Sequence, residues 1–115
     1  MNSTPLPHDH AQRVDAQVDL YLKLMGYYLN HLRIELAFSQ EHVACVACVS
    51  RTEVYNVEHG LTNERVGTLK RICIALHVSY GEVVTHTDFL MEHPEFRPQK
   101  LVLKSLRGKK VNRPL

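Results

Sequence analysis

The sequence predicts an all-α fold with five helices, and three observations support this class. Apolar residues recur at spacings of three and four through residues 14–37, which is the period of one helix face. Two short helical segments, each opened by a serine, follow within residues 39–60. Two more segments with helical spacing begin near residues 64 and 79. At 115 residues, the chain is long enough for one small helical domain with a tail at each end.

The first predicted helix carries an apolar stripe that extends to its N-terminal end. The chain before it, residues 1–13, is polar and contains prolines, and we expect a disordered arm there. The early part of the stripe must be covered by something, and two coverings remain open: the chain's own tail or a second subunit. The residues of this early stripe are Val14, Val18, Tyr21 and Leu22.

Residues 39–60 predict two helices that cross steeply. Ser39 is a favourable N-cap for the first of them, and Ser50 with Glu53 forms a Ser-x-x-Glu capping box that starts the second. Gly60 then supplies a stop signal. Because the turn between the helices is too short for antiparallel packing, the pair predicts a helix-turn-helix, whose second helix can enter a DNA major groove.

The outward side of that second helix carries side chains of the types that recognise bases. Arg51, at its start, can pair bidentately with guanine O6 and N7. Asn56 is within reach of the same groove and can pair with adenine, and Thr52 can contact a thymine methyl group or a phosphate. The alternative interpretation is that these three are solvated polar residues without a ligand.

Residues 26–84 as a whole resemble the phage-repressor-like (Cro/repressor type, XRE family) helix-turn-helix domain, without a gap. The match includes Arg33 in the first helix and the run Ala-Leu-His-Val-Ser at 75–79. The turn position that is usually glycine in this family is Cys48, and a non-glycine residue at positive φ costs about 1 kcal/mol. In the predicted fourth helix, the residues expected to face the core are Val66, Leu69, Ile72, Cys73 and Leu76.

The resemblance implies further roles at matching positions. Gln40, at the start of the second helix, would hydrogen-bond a DNA phosphate, and Arg33 would form a structural ion pair with Glu58. The resemblance also implies a transcriptional repressor or autoregulator, acting as a homodimer on an inverted repeat. Weaker phosphate candidates are Tyr55, Asn63 and Arg65.

A different functional class remains as the alternative. In this alternative the helical domain is a protein-interaction module, such as an antitoxin or adaptor that holds a partner protein through its long first helix and its tail. Arg51, Thr52 and Asn56 favour double-stranded DNA as the partner, since such side chains have little use on a surface that contacts only protein.

Charge divides the chain into two unequal parts. All twelve acidic residues lie at or before Glu95, and seven of the fourteen basic residues lie at or after Arg97. Residues 1–96 therefore carry a formal charge of −5 and residues 97–115 carry +7. The predicted division is an N-terminal arm, a helix-turn-helix domain and a basic tail, over residues 1–13, 14–91 and 92–115.

The basic tail has two open interpretations. It either lies along phosphates or in a minor groove, or it is a solvated segment that improves solubility. The apolar run at 101–103 is compatible with a short strand. The candidate DNA contacts in the tail are Arg107, Lys109 and Lys110.

Several other classes find no support in the sequence. Cys45 and Cys48 form a Cys-x-x-Cys pair, but a structural zinc site needs four convergent ligands, and we expect neither a metal nor another cofactor. No nucleophile–histidine–acid set or glycine-rich phosphate loop appears, so we expect no enzyme. No apolar run near the length of a membrane span occurs and the N-terminus does not resemble a signal peptide, so we expect a cytoplasmic, nucleoid-associated protein.

Overall fold

The structure is a computed structural model that describes residues 7–106. This part of the chain contains five α-helices and no β-sheet, as the all-α fold class predicts. The helices are followed by a 3₁₀ turn, Pro94–Phe96, and an irregular segment to residue 106. In chain order the helices are α1 (Pro7–Glu35), α2 (Gln40–Ala47), α3 (Arg51–His59), α4 (Val66–Ala75) and α5 (Tyr80–Glu92).

Helix α1 begins at Pro7, earlier than the expected start near Val14, so the part of the expected disordered arm within residues 7–13 is helical. Proline suits the first turn of a helix, because its φ is already helical and its missing N–H would have no partner there. Asp9 adds a negative charge near the positive end of the helix dipole. These local signals extend the helix although no other element within residues 7–106 covers its N-terminal part.

The core forms where α1 crosses α3 and α5 and where α2 packs on α3 and α4. Gly26 permits the crossing of α1 and α3, because a Cβ built there would lie 2.3 Å from the carbonyl oxygen of Val57 and 2.4 Å from that of Glu58. The residues that fill the centre are buried hydrophobic side chains from all five helices. They include Met25, Leu29, Val43, Val54, Ile72 and Val83.

Two expectations about smaller segments are wrong. Val66 is 62% exposed rather than inward-facing, because helical side chains lean toward the N-terminus and Val66 is the first residue of α4. Residues 101–103 are irregular rather than a strand. A strand needs a sheet edge to pair with, whereas Leu101 and Leu103 line a cleft with Lys23 of α1 and Glu58 and His59 of α3.

Candidate nucleic-acid interface

The turn between α2 and α3 sets the direction of α3. Cys48 adopts the left-handed conformation at φ 57°, which glycine usually supplies at helix ends. The amide of Val49 donates to the Ala44 carbonyl at 3.0 Å and that of Cys48 to the Cys45 carbonyl at 3.3 Å. These bonds form a helix C-cap that ends α2 and turns the chain.

Both ends of α3 are capped as the sequence predicts. The Ser50 hydroxyl accepts from the Glu53 amide at 3.0 Å, and Glu53 Oε1 accepts from the Ser50 amide at 3.0 Å. Gly60 ends the helix in the left-handed conformation. Val54 and Val57 are buried beneath α3, so the opposite side of the helix is turned to solvent.

The candidate base-reading residues lie on the solvent side of α3. Arg51 and Thr52 are exposed, and Asn56 is half-buried. Tyr55 is 46% exposed and stacks on His59, with ring centroids 3.9 Å apart. Arg51, Thr52 and Tyr55 line one shallow depression together with Gln40 of α2, so the structure brings these side chains together.

The other phosphate candidates lie further away, before α4. Asn63 is exposed in the loop between α3 and α4, and Arg65 is exposed at the N-cap position of α4 without a side-chain capping bond. Neither lines the depression beside Arg51. The candidate tail contacts Arg107, Lys109 and Lys110 lie outside the described residues.

A buried polar network supports α3 from behind. Arg33 Nε lies 2.6 Å from Glu58 Oε2 and Arg33 Nη2 lies 2.9 Å from Glu58 Oε1, so the two residues form a bidentate ion pair. Arg33 Nη1 also donates to the Phe38 carbonyl at 2.8 Å. Gln40 Nε2 donates to Glu58 Oε1 at 3.3 Å. The network fixes the end of α3 to α1 and to the start of α2, and its hydrogen bonds offset the cost of burying the two charges.

Asn30 also belongs to this buried network, although the sequence alone did not predict a role for it. It is 1% exposed, and its Nδ2 donates to Glu58 Oε1 at 2.9 Å and to the Lys104 carbonyl at 3.0 Å. Its Oδ1 accepts from the Lys104 amide at 2.8 Å. The one signal in the sequence is its position three residues before Arg33, which places both polar residues on one face of α1.

A cavity of about 530 Å³ opens between this network and the solvent side of α3. Its walls come from α1, α2, α3 and the irregular segment that follows α5. Among its lining residues are Asn30, Arg33, Gln40, Arg51, Tyr55 and Lys104. The cavity therefore joins the exposed face of α3 to a segment that lies far away in the sequence.

The three cysteines do not share one site. Cys45 and Cys48 are exposed near the turn, whereas Cys73 is buried in α4. Burial raises the pKa of the Cys73 thiol to about 11. Among residues 7–106 there is no group of three or more histidine, cysteine or acidic residues placed to hold a metal ion.

This fold and this exposed, doubly capped helix define a helix-turn-helix domain. The chain is 38% identical over 66 residues to an uncharacterized HTH-type transcriptional regulator, y4dJ, of Sinorhizobium fredii. The match covers 57% of this chain and 86% of the relative. The chain therefore belongs to the HTH-type transcriptional regulators.

No family model matches the chain. Within residues 7–106, no helix is both long enough and apolar enough to cross a membrane.

Proposed function

We propose that this protein is a sequence-specific double-stranded DNA-binding regulator of the Cro/repressor type, with α3 as its recognition helix in the major groove. The observation that carries the proposal is the exposure of Arg51 and Thr52 on a helix that is capped at both ends and fixed from behind by the Arg33–Glu58 pair. A rigid helix with a free polar face satisfies the docking geometry of this motif.

Each candidate contact has a distinct role in this proposal. Arg51 pairs with a guanine, Asn56 with an adenine, and Thr52 contacts a thymine methyl group or a phosphate. Gln40 and Tyr55 contact phosphates beside α3, and Asn63 and Arg65 contact phosphates near the start of α4. These phosphate contacts fix the position of the helix so that the base contacts can discriminate between sequences.

We infer that the protein acts as a homodimer on an inverted repeat, as a transcriptional repressor or autoregulator. One recognition helix covers only a few base pairs, and two-fold symmetry doubles the discriminating contacts. Val14 and Val18, which are 42% and 43% exposed on the projecting half of α1, are an available apolar surface for the second subunit.

The same surface favours a second candidate, a protein-interaction module such as an antitoxin or adaptor. An exposed apolar stripe on a projecting helix is suited to hold a partner protein. The two candidates differ in what the α3 face does, since a module that binds only protein does not need Arg51 to contact bases.

Selection of bound duplexes from a random-sequence library tests the proposal. The expected result is an enriched motif with two symmetric half-sites, whose centres are one helical turn of DNA or a multiple of it apart. Enrichment of a single asymmetric half-site would contradict the homodimer. Absence of any enriched sequence from the full-length protein would contradict sequence-specific binding and favour the protein-interaction module.

A further inference from the structure

Residues 103–106, here called the C-terminal strap, form one wall of the cavity beside α3. We propose that Lys104 of this strap is a DNA phosphate contact and that Asn30 is the residue that positions it. The inference rests on the proposed function, since it adds a contact to the same interface. It also assigns a role to the buried asparagine.

The Asn30 side chain binds both backbone groups of a single strap residue, Lys104. The carboxamide accepts from the Lys104 N–H at 2.8 Å and donates to the Lys104 carbonyl at 3.0 Å. Glu58 Oε1, a pure acceptor, lies 2.9 Å from Nδ2, so the orientation of the amide group is determined. Because both backbone groups of Lys104 are bound, the strap cannot slide along α1 without breaking two partly buried hydrogen bonds.

Lys104 decides the net charge of the cavity lining. The charged residues that line it are Arg33, Glu41, Arg51, Glu58 and Lys104. Arg33 and Glu58 neutralise each other in their ion pair. Glu41 and Arg51 carry opposite charges, so Lys104 leaves the cavity with a net positive charge when His59 is neutral.

Exposure of Lys104 makes this charge available to a ligand. Its backbone is held by Asn30, whereas the residue as a whole is exposed. It lines the cavity together with Gln40 and Arg51, which are the proposed phosphate and base contacts. A phosphate next to Gln40 therefore lies where Lys104 attracts it, and the cation adds to the affinity for DNA of any sequence.

Two charge-matched variants test the role of Lys104. We would measure DNA affinity at several salt concentrations for the wild type, Lys104→Gln and Lys100→Gln. Each protein is titrated with a random-sequence duplex and with a duplex selected from a library. Lys100 is exposed in the same irregular segment but does not line the cavity. For Lys104→Gln we expect weaker binding to both duplexes and a salt dependence shallower by about one unit of log K per log salt for each bound subunit. Lys100→Gln is expected to match wild type, and Lys104→Arg to restore the wild-type slope.

The positioning role of Asn30 is tested by Asn30→Ala, compared with Asn30→Ala/Lys104→Gln at a temperature where both remain helical by circular dichroism. We expect the single variant to lose as much of the slope as Lys104→Gln does, although its lysine is intact, and the double variant to lose no more. A slope for Lys104→Gln equal to that of wild type overturns the inference, as does tighter binding, which would mean that the strap obstructs DNA. Failure of the wild type to bind either duplex would instead contradict the proposed function.

Discussion

The two halves of α1 show what decides whether an apolar stripe becomes core. Between residues 24 and 34 the helix buries four apolar side chains and also the polar residues Asn30 and Arg33. From residue 10 to residue 19 every position is exposed, although Val14 and Val18 continue the same stripe. Periodicity therefore predicts which face of a helix is apolar, but the elements packed around it decide which part is buried.

Among the proposed variants, the one that disrupts the buried ion pair between α1 and α3 should lower stability the most. Glu58→Ala leaves the Arg33 guanidinium buried without its carboxylate, so we expect the free energy of unfolding to fall by about 3–5 kcal/mol. Glu92→Ala, which removes an exposed carboxylate from α5, is the matched control and is expected to change it by less than about 0.5 kcal/mol. Urea denaturation followed by circular dichroism measures both. Equal stabilities would mean that the ion pair does not support α3.

Truncation of one apolar side chain in each half of α1 measures how differently the two halves contribute to stability. Leu29 is fully buried, so Leu29→Ala should lower the free energy of unfolding by about 2–5 kcal/mol. Val18→Ala should change the stability of the monomer by less than about 0.5 kcal/mol, because the Val18 side chain is exposed and lies outside the core.

The unfolding midpoint of Val18→Ala should also depend on protein concentration. If the exposed half of α1 forms the homodimer surface, Val18→Ala should lower the unfolding midpoint mainly at protein concentrations where the wild type is dimeric. A large loss for Val18→Ala at every concentration would show that this half is covered within the monomer.

Smaller effects are expected at two glycines. A Cβ at Gly26 meets backbone oxygens of α3, so Gly26→Ala should lower the free energy of unfolding by about 1–3 kcal/mol through overpacking. A Cβ built at Gly67 in α4 has no neighbouring atom within 4 Å. Gly67→Ala should therefore raise the free energy of unfolding by up to about 1 kcal/mol. Thermal denaturation of the two variants should therefore shift the midpoint in opposite directions. A midpoint for Gly26→Ala that equals or exceeds that of the wild type would contradict the close contact of α1 with α3.

The local features of this molecule were predictable from the sequence because their causes are local. Ser39, Ser50 and Gly60 act on helix ends within four residues of themselves, and all three have the predicted roles. Cys48 adopts the left-handed conformation at the turn position that is expected from the sequence resemblance.

What the sequence did not predict depends on distant contacts. Asn30 and Lys104 are 74 positions apart, and no local pattern in either segment indicates their pairing. The exposure of Val66 depends on where α4 begins, and helix boundaries are the least certain part of a sequence-based prediction. The α3 face was predictable as a set of residues, whereas its cavity with the C-terminal strap required the fold.

The most direct test of the account is the sequence preference of Arg51→Ala, with Arg13→Ala as control. Arg13 is an exposed arginine in the uncovered half of α1, so its removal changes net charge equally. Binding is measured against the selected duplex and a set of single base-pair variants of it. For Arg51→Ala we expect discrimination to fall by about 1–3 kcal/mol at one guanine position in each half-site, while Arg13→Ala keeps the wild-type preference. An unchanged preference in Arg51→Ala would contradict the claim that α3 recognises DNA through this residue.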